Sequence, residues 1–376
     1  MYQPISEQRR TTQPQARRAY RCRCGRPIFF RNSQCLACQA QLGYEPQTGK
    51  VYSLVSAGNQ DCWRIGNAPG LRKKCFRRCA NLNSPSGCNW LVDASETGML
   101  CISCRLDRTI PNLSLPENQE RWRRIEVAKR RLISSLVALR LPVISRAQDP
   151  DRGLAFDFLE SPENGPRVLT GHANGIITLN IEEADDSTRE RIREEMREPY
   201  RTVLGHLRHE TGHYYWDRLI KDGPLLDDYR GLFGDETVDY VSALESYRAQ
   251  GPHTDWPLNF VSAYASAHPW EDWAETWAHY LHMLDTVDTA LSFRLDPDAV
   301  EAQFEPFGSD ALSRPDDPGA PAFLAFLNSW VKLAGVLNEL SRSMGLADFY
   351  PFVLSKPAVA KLQFVHTTVA REVTPK

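Results

Sequence analysis

All ten cysteines of this 376-residue chain lie between Cys22 and Cys104, and none occurs in the 272 residues that follow. The N-terminal stretch MYQPISEQRRTTQPQARRAYRC carries charge but no apolar core of a secretory signal, so a cytoplasmic protein is expected. Thiols clustered in such a chain read as metal ligands rather than disulfides. Cys101 and Cys104 in CISC form one knuckle, completed by Cys79 and Cys88; Cys35 and Cys38 in CLAC form another, with Cys22 and Cys24 upstream. Each set would be a closed, tetrahedral, structural zinc site that supplies folding energy to a segment with little core. Cys22-Arg23-Cys24 is tighter than the usual spacing, so one or two structural zincs are expected. Cys62 and Cys75 are left over, as plain buried thiols or with Cys75 competing against Cys79; a bridge between them is the disfavoured reading.

Residues 1–140 hold 24 Lys and Arg against 9 Asp and Glu, so the net charge of -2 conceals a basic front and an acidic remainder. Such a front can contact nucleic acid or an acidic protein, or simply attract the rest of the chain. No apolar run approaches the ~20 residues of a membrane span, and no membrane association is expected. Residues 1–19 read as a disordered basic arm, 20–112 as the zinc-ribbon region and 113–376 as one domain led by a helix over 117–141. There Trp122, Ile125, Ala128, Leu132, Leu136 and Leu139 recur at spacings of three and four. Ile177, Leu179 and Ile181 alternate with polar residues after an Asn-Gly turn, predicting a strand over 175–181. Helices are expected near 187–197, 200–220, from Pro269 onward, over 319–344 with a stop at Gly345, and over 357–372.

The chemistry concentrates in GHLRHETGHYYW, 205–216. His209 and His213 are four apart and share a helix face, so both imidazoles can reach one zinc. Glu210 lies about 100° round the helix, placed to take a proton from a water on that zinc rather than to bind the metal. The competing reading is a chance match on a solvated helix; Leu207, Tyr214, Trp216 and Leu219 argue for a buried one. His206 is one turn early; it reads as a surface histidine or one that supports the site from behind, and is left out of the ligands as a bystander. A third ligand is required. Glu271 and Glu275 share one face of the next helix, so that one can bind zinc while the other steadies a ligand histidine. Tyr264, seven residues before Glu271, could donate to an oxyanion. Asp235 and Glu236, 22 and 23 residues past His213, are rival ligands. The strand 175–181 would be an edge to which an extended peptide adds.

GHLRHETGHYYWDRL, LFGDETVDY and VSAYASAHPWEDWAETWAHYLHMLDT, together with CNWLV, CISCRLDRTIP and VLTGHANGIITLNIEEAD, resemble a bacterial family of zinc-binding metallopeptidases with an N-terminal zinc ribbon. The resemblance spans the chain from about residue 20. It implies an α+β protein: a small β zinc-ribbon region, then a mainly helical, gluzincin-like domain with a small sheet. In related gluzincins an HExxH pattern is followed by a tyrosine and, seven residues later, ExxxE. Carried over, His209, His213 and Glu271 are ligands of one catalytic zinc, Glu210 is the general base, Glu275 steadies a ligand, and Tyr264 is the oxyanion donor. The expected activity is hydrolysis of a peptide or protein substrate, with the ribbon serving structure or recruitment of a protein partner. The alternative is a non-enzymatic zinc-ribbon adaptor or nucleic-acid binder that retains a peptidase-like shell.

Overall fold

The computed structural model describes residues 18–373 apart from 59–61, 67, 163, 196–197 and 302–303. The basic arm expected over 1–19 therefore lies almost wholly outside the described residues. Its last two residues already belong to folded structure: Arg18 is buried and donates to Ser134 and Ser135 hydroxyls at 2.9 and 3.1 Å. The fold is α+β, and the described chain divides into two compact units, one of residues 18–138 with 142–218, the other of 139–141 with 219–373.

The first unit begins with two short antiparallel strands, β1 (Tyr20–Arg21) and β2 (Pro27–Ile28). A five-stranded sheet follows in sequence order: β3 (Leu42–Glu45), β4 (Lys50–Ser56), β5 (Trp63–Ile65), β6 (Phe76–Arg78) and β7 (Leu91–Asp93). Its core is small. Leu54, Ile65, Phe76 and Leu91 form one cluster, and Tyr44 meets Phe30 and Trp90 with ring centroids 4.8 and 4.6 Å apart. Gly43 is required in β3, because a Cβ there would lie 2.5 Å from the Leu91 side chain. Strands β5 and β6 pair only at Trp63 and Phe76, and beside that pair Cys62 and Cys75 come within 5.3 Å, Cα to Cα, and are joined as a disulfide. The disfavoured bridge is thus the observed one. Strand pairing brings together two thiols that their 13-residue separation gave no reason to connect.

β8 (Asp107–Thr109) leaves the cysteine region and enters a second sheet, ahead of α1 (Pro116–Ala138). The sheet is completed by β9 (Ala155–Leu159), β10 (Gly171–Ala173) and β11 (Ile176–Asn180), in the order β10-β11-β9-β8. β9 runs parallel to both β8 and β11, while β10 and β11 form an antiparallel hairpin. β11 is therefore an inner strand, and the edge expected at 175–181 belongs to β10: the Asn174-Gly175 turn folds the chain back to cover it. α2 (Asp186–Glu195) and α3 (Val203–Leu219) follow. Helix α1 is keyed to this framework by a buried ionic group. Lys129, fully buried, pairs with Asp107 of β8 and with Glu126 one turn before it, and its ammonium lies 5.7 and 5.4 Å from the ring centres of Phe156 and Phe158 on β9. Arg130 adds a hydrogen bond of 2.8 Å to the Ser86 carbonyl.

The second unit is helical: α4 (Leu226–Phe233), α5 (Tyr240–Gln250), α6 (Trp256–Asn259), α7 (Pro269–Ser292), α8 (Ala320–Ser343) and α9 (Lys356–Val373). α7 is its axis, packing against α4, α8 and α9 and burying Trp273, Trp277, Tyr280 and Leu281. Lys361 of α9 pairs with the fully buried Asp272 at 2.6 Å. α8 corrects one expectation, since by length and composition it could cross a bilayer. It packs on α7 and α9 through a buried face of Phe323, Phe326, Leu327 and Trp330. Gly345, with φ of 72°, closes the helix as expected.

Removing the Lys129 ammonium leaves two buried carboxylates facing each other. Lys129→Met should destabilise the protein by about 3–5 kcal/mol, measured by denaturant unfolding.

Candidate metal centres and active site

The cysteines assemble as their spacing predicted. The sulfurs of Cys22, Cys24, Cys35 and Cys38 lie within 4.8 Å of one another, as do those of Cys79, Cys88, Cys101 and Cys104. Zinc–sulfur bonds near 2.3 Å place tetrahedral thiolates about 3.8 Å apart. The pairs Cys22–Cys38, Cys24–Cys35 and Cys88–Cys101 stand at 3.5, 3.8 and 3.7 Å. The second set is wholly buried, whereas Cys24 and Cys38 of the first are exposed. Four sulfurs packed so tightly pull against one another. Hydrogen bonds from Cys101, Cys104 and Cys88 drive the Cys79 thiol far down, while burial pushes Cys88 and Cys101 up. A dication that ionises all four removes the conflict. Asp107 and Glu126 approach Cys104 as a third acidic group, but Lys129 already pairs with both.

Helix α3 carries a third candidate centre. Ten consecutive residues, Leu207 to Trp216, are buried, so this is no solvated helix. His209 and His213 turn their Nε2 atoms toward a common point, 3.1 Å apart. Zinc–nitrogen bonds of 2.0–2.1 Å in a tetrahedron would set that separation at about 3.3 Å. Beside them Glu210, 4 % exposed, faces the His206 Nε2 with Oε1 at 3.4 Å, while its Oε2 is buried without a hydrogen-bond partner among the described residues. Burial opposes ionisation of Glu210, yet His206 and the neighbouring imidazoles hold its carboxyl below the ordinary range. On the other side of His206, Nδ1 meets Glu183 Oε2 at 2.8 Å. Glu183 also receives the Thr170 hydroxyl at 2.6 Å and the Arg201 guanidinium at 3.1 Å. Burial works against charging His206, but Glu183 and Glu210 outweigh it and lift its pKa to about 9. His172 of β10 stacks near His213, centroids 6.4 Å apart; burial, then His213, lower its pKa to about 4.

The remaining candidates lie in the helical unit. Glu271, 1 % exposed, stands in the first turn of α7, where Pro269 occupies a first-turn position and His268 caps by accepting from the Trp270 N–H at 3.0 Å. Its Oε1 accepts a hydrogen bond of 2.5 Å from the Tyr240 hydroxyl. Glu275, one turn on, accepts from the Ser262 hydroxyl at 2.6 Å. Tyr264 opens a 3-10 turn over Tyr264–Ala267 and packs edge-on against Tyr247. The rival carboxylates are committed elsewhere: Glu236 to Arg230 at 2.6 Å and Asp235 to the Thr237 hydroxyl at 2.6 Å.

Sequence reasoning did not single out Glu183, Thr170, Arg201 or Tyr240, and it gave His206 no partner. Only the acidic Glu182-Glu183 pair directly after β11 offered a signal.

The ribbon fold, the two sets of four clustered thiols and the histidine-carboxylate helix are the features of a zinc-binding protein. The chain belongs to the family described as "putative zinc-binding metallo-peptidase", whose model matches residues 118–368, and a zinc-ribbon domain model matches residues 19–115. It is similar to proteins of Mycobacterium tuberculosis and Mycobacterium bovis described as uncharacterized, 43% identical over 353 residues that cover 94% of each chain. No solved structure matches.

Cys101→Ser should lower the zinc content relative to the native chain and loosen the ribbon toward proteolysis, whereas Cys62→Ser should leave zinc content unchanged. Atomic-emission metal analysis with limited trypsin digestion reads both.

Proposed function

We propose that the protein is a zinc-dependent peptidase of gluzincin type, in which His209, His213 and Glu271 hold one catalytic zinc and the two cysteine sets hold structural zinc. The observation that carries this is the convergence of two buried imidazole nitrogens beside a carboxylate with one oxygen tethered and the other unpaired. A zinc ion held there supplies Lewis acidity, making water a nucleophile near neutral pH and polarising the scissile carbonyl. Glu210 Oε2 accepts the proton of the attacking water and later delivers it to the departing amine. The Tyr264 phenol donates to the substrate oxygen as it gains charge. Tyr240 fixes one oxygen of Glu271, and Glu275 steadies a ligand histidine, as groups behind a metal ligand do. Glu271 is preferred over Asp235 and Glu236 because it is buried and because only α7 offers a carboxylate pair one turn apart that is preceded by a tyrosine.

We further propose that the basic ribbon, in a cytoplasmic protein, recruits an acidic protein substrate or partner. The non-enzymatic reading, an adaptor or nucleic-acid binder, makes Glu210 dispensable, and this separates the two.

With a mixed-sequence peptide library as substrate, Glu210→Gln should lower cleavage by about 10²–10⁴-fold while zinc content is retained. Native protein that binds zinc but cleaves nothing, with Glu210→Gln unchanged in cells, would favour the adaptor. Native chain should bind about three zincs. His213→Ala and Glu271→Ala should each lose one, and Glu236→Ala none; the reverse result for the two glutamates rejects Glu271 as ligand.

A further inference from the structure

His206 occupies a place that neither a metal ligand nor a surface histidine would need. It sits one turn before His209 on α3, with 17% of its side chain exposed, and each ring nitrogen faces a carboxylate: Nδ1 faces Glu183 at 2.8 Å and Nε2 faces Glu210 at 3.4 Å. Carboxylates only accept, so an imidazole between two of them must donate from both nitrogens, which makes it an imidazolium. Glu183 is itself locked. It lies in a 3-10 turn over Ile181–Ala184 directly after β11, and that turn is capped by Asn180, whose side chain accepts from the Glu182 N–H. One Glu183 oxygen takes the Thr170 hydroxyl and the other takes His206 and Arg201, while Arg201 is further tied to Glu198. The sheet thus presents a rigid carboxylate to the motif helix, and His206 is the only described link from that carboxylate to Glu210.

We propose that His206, clamped by Glu183, is the positioning residue of this centre: it holds Glu210 Oε1, so that Oε2 alone is turned to the reacting water. The proposal rests on the reading of Glu210 as general base. A bystander histidine would hold no such bond, and an imidazolium buried for stability alone would need only Glu183. A positioned base gains because one of its two oxygens is fixed at the proton it must take. Residues that orient a catalytic or ligating group in this way typically matter by about 10–100-fold.

The zinc-loaded full chain decides it, with His206→Leu, His206→Gln, Glu183→Gln and Glu210→Gln compared. Two readouts are used: kcat and KM on the best-cleaved peptide of the mixed library, and calorimetric affinity for acetohydroxamate, a small zinc ligand that also needs a proton acceptor and so reports the site without a substrate. His206→Leu should lose about 10–100-fold in kcat at unchanged KM, with zinc content intact and acetohydroxamate affinity reduced about tenfold. His206→Gln, whose amide N–H can still reach Glu210, should recover most of both. Glu183→Gln should fall between, and combined with His206→Leu it should add nothing. Native kcat and hydroxamate affinity in a zinc-loaded His206→Leu, or in Glu183→Gln should His206→Leu fail to fold, would overturn the positioning role. Native behaviour of Glu210→Gln is a different result, which removes the base assignment and the positioning role with it.

Discussion

The Lys129 ammonium holds the first unit together. It is fully buried, it is shared by Asp107 on β8 and Glu126 on α1, and it lies over two phenylalanine rings of β9. Burying one charge without partners is prohibitive, and burying a pair is close to neutral, so such a group contributes uniqueness of arrangement more than net stability. Here the arrangement it fixes is specific. Glu126 lies 3.9 Å from the Cys104 sulfur, and Arg130 one turn along bonds the Ser86 carbonyl next to Cys88. The second thiolate set, the leading helix and the sheet therefore share one electrostatic junction. A four-thiolate zinc site carries net negative charge, and Lys129 and Arg130 are the cations placed to face it.

The same economy of buried charge recurs around α3. Arg201, Glu183, His206 and Glu210 follow one another with alternating sign, and the series ends on the Glu210 Oε2, which has no hydrogen-bond partner among the described residues. That oxygen is one of several buried polar atoms without a partner among the described residues, and it is the one that stands beside two converging imidazoles.

Both thiolate sets, the helix bearing His209, Glu210 and His213, and the buried helix from Pro269 were legible in the sequence because each rests on local spacing: CxxC, four-residue recurrence, or a proline start. What depended on distant pairing was not legible. β9, AFDFL, is almost wholly buried between two parallel neighbours and so lacks the polar alternation that betrays a half-exposed strand. The neighbouring strand did alternate and was found, yet its rank in the sheet was misjudged, because β10 is only three residues long. Cys62 and Cys75 were read apart for the same reason, since their meeting depends on β5 finding β6. His206 was left out of the ligands on helical phase; its partner Glu183 arrives from the turn after a strand, which no periodicity on α3 can reveal.

The parallel pairing of β8 with β9 has a consequence for how such a protein could have been assembled in evolution. A ribbon fused as an independent module would end before the sheet of its host began. Here the last strand after the CISC knuckle is itself a rung of that sheet, set beside β9 whose other flank is β11. Deleting the ribbon would strip β9 of a neighbour and leave a row of unpaired peptide groups along a buried, apolar strand, an invitation to aggregation. A loss or exchange of the ribbon that takes β8 with it is therefore felt in the sheet of the part that follows.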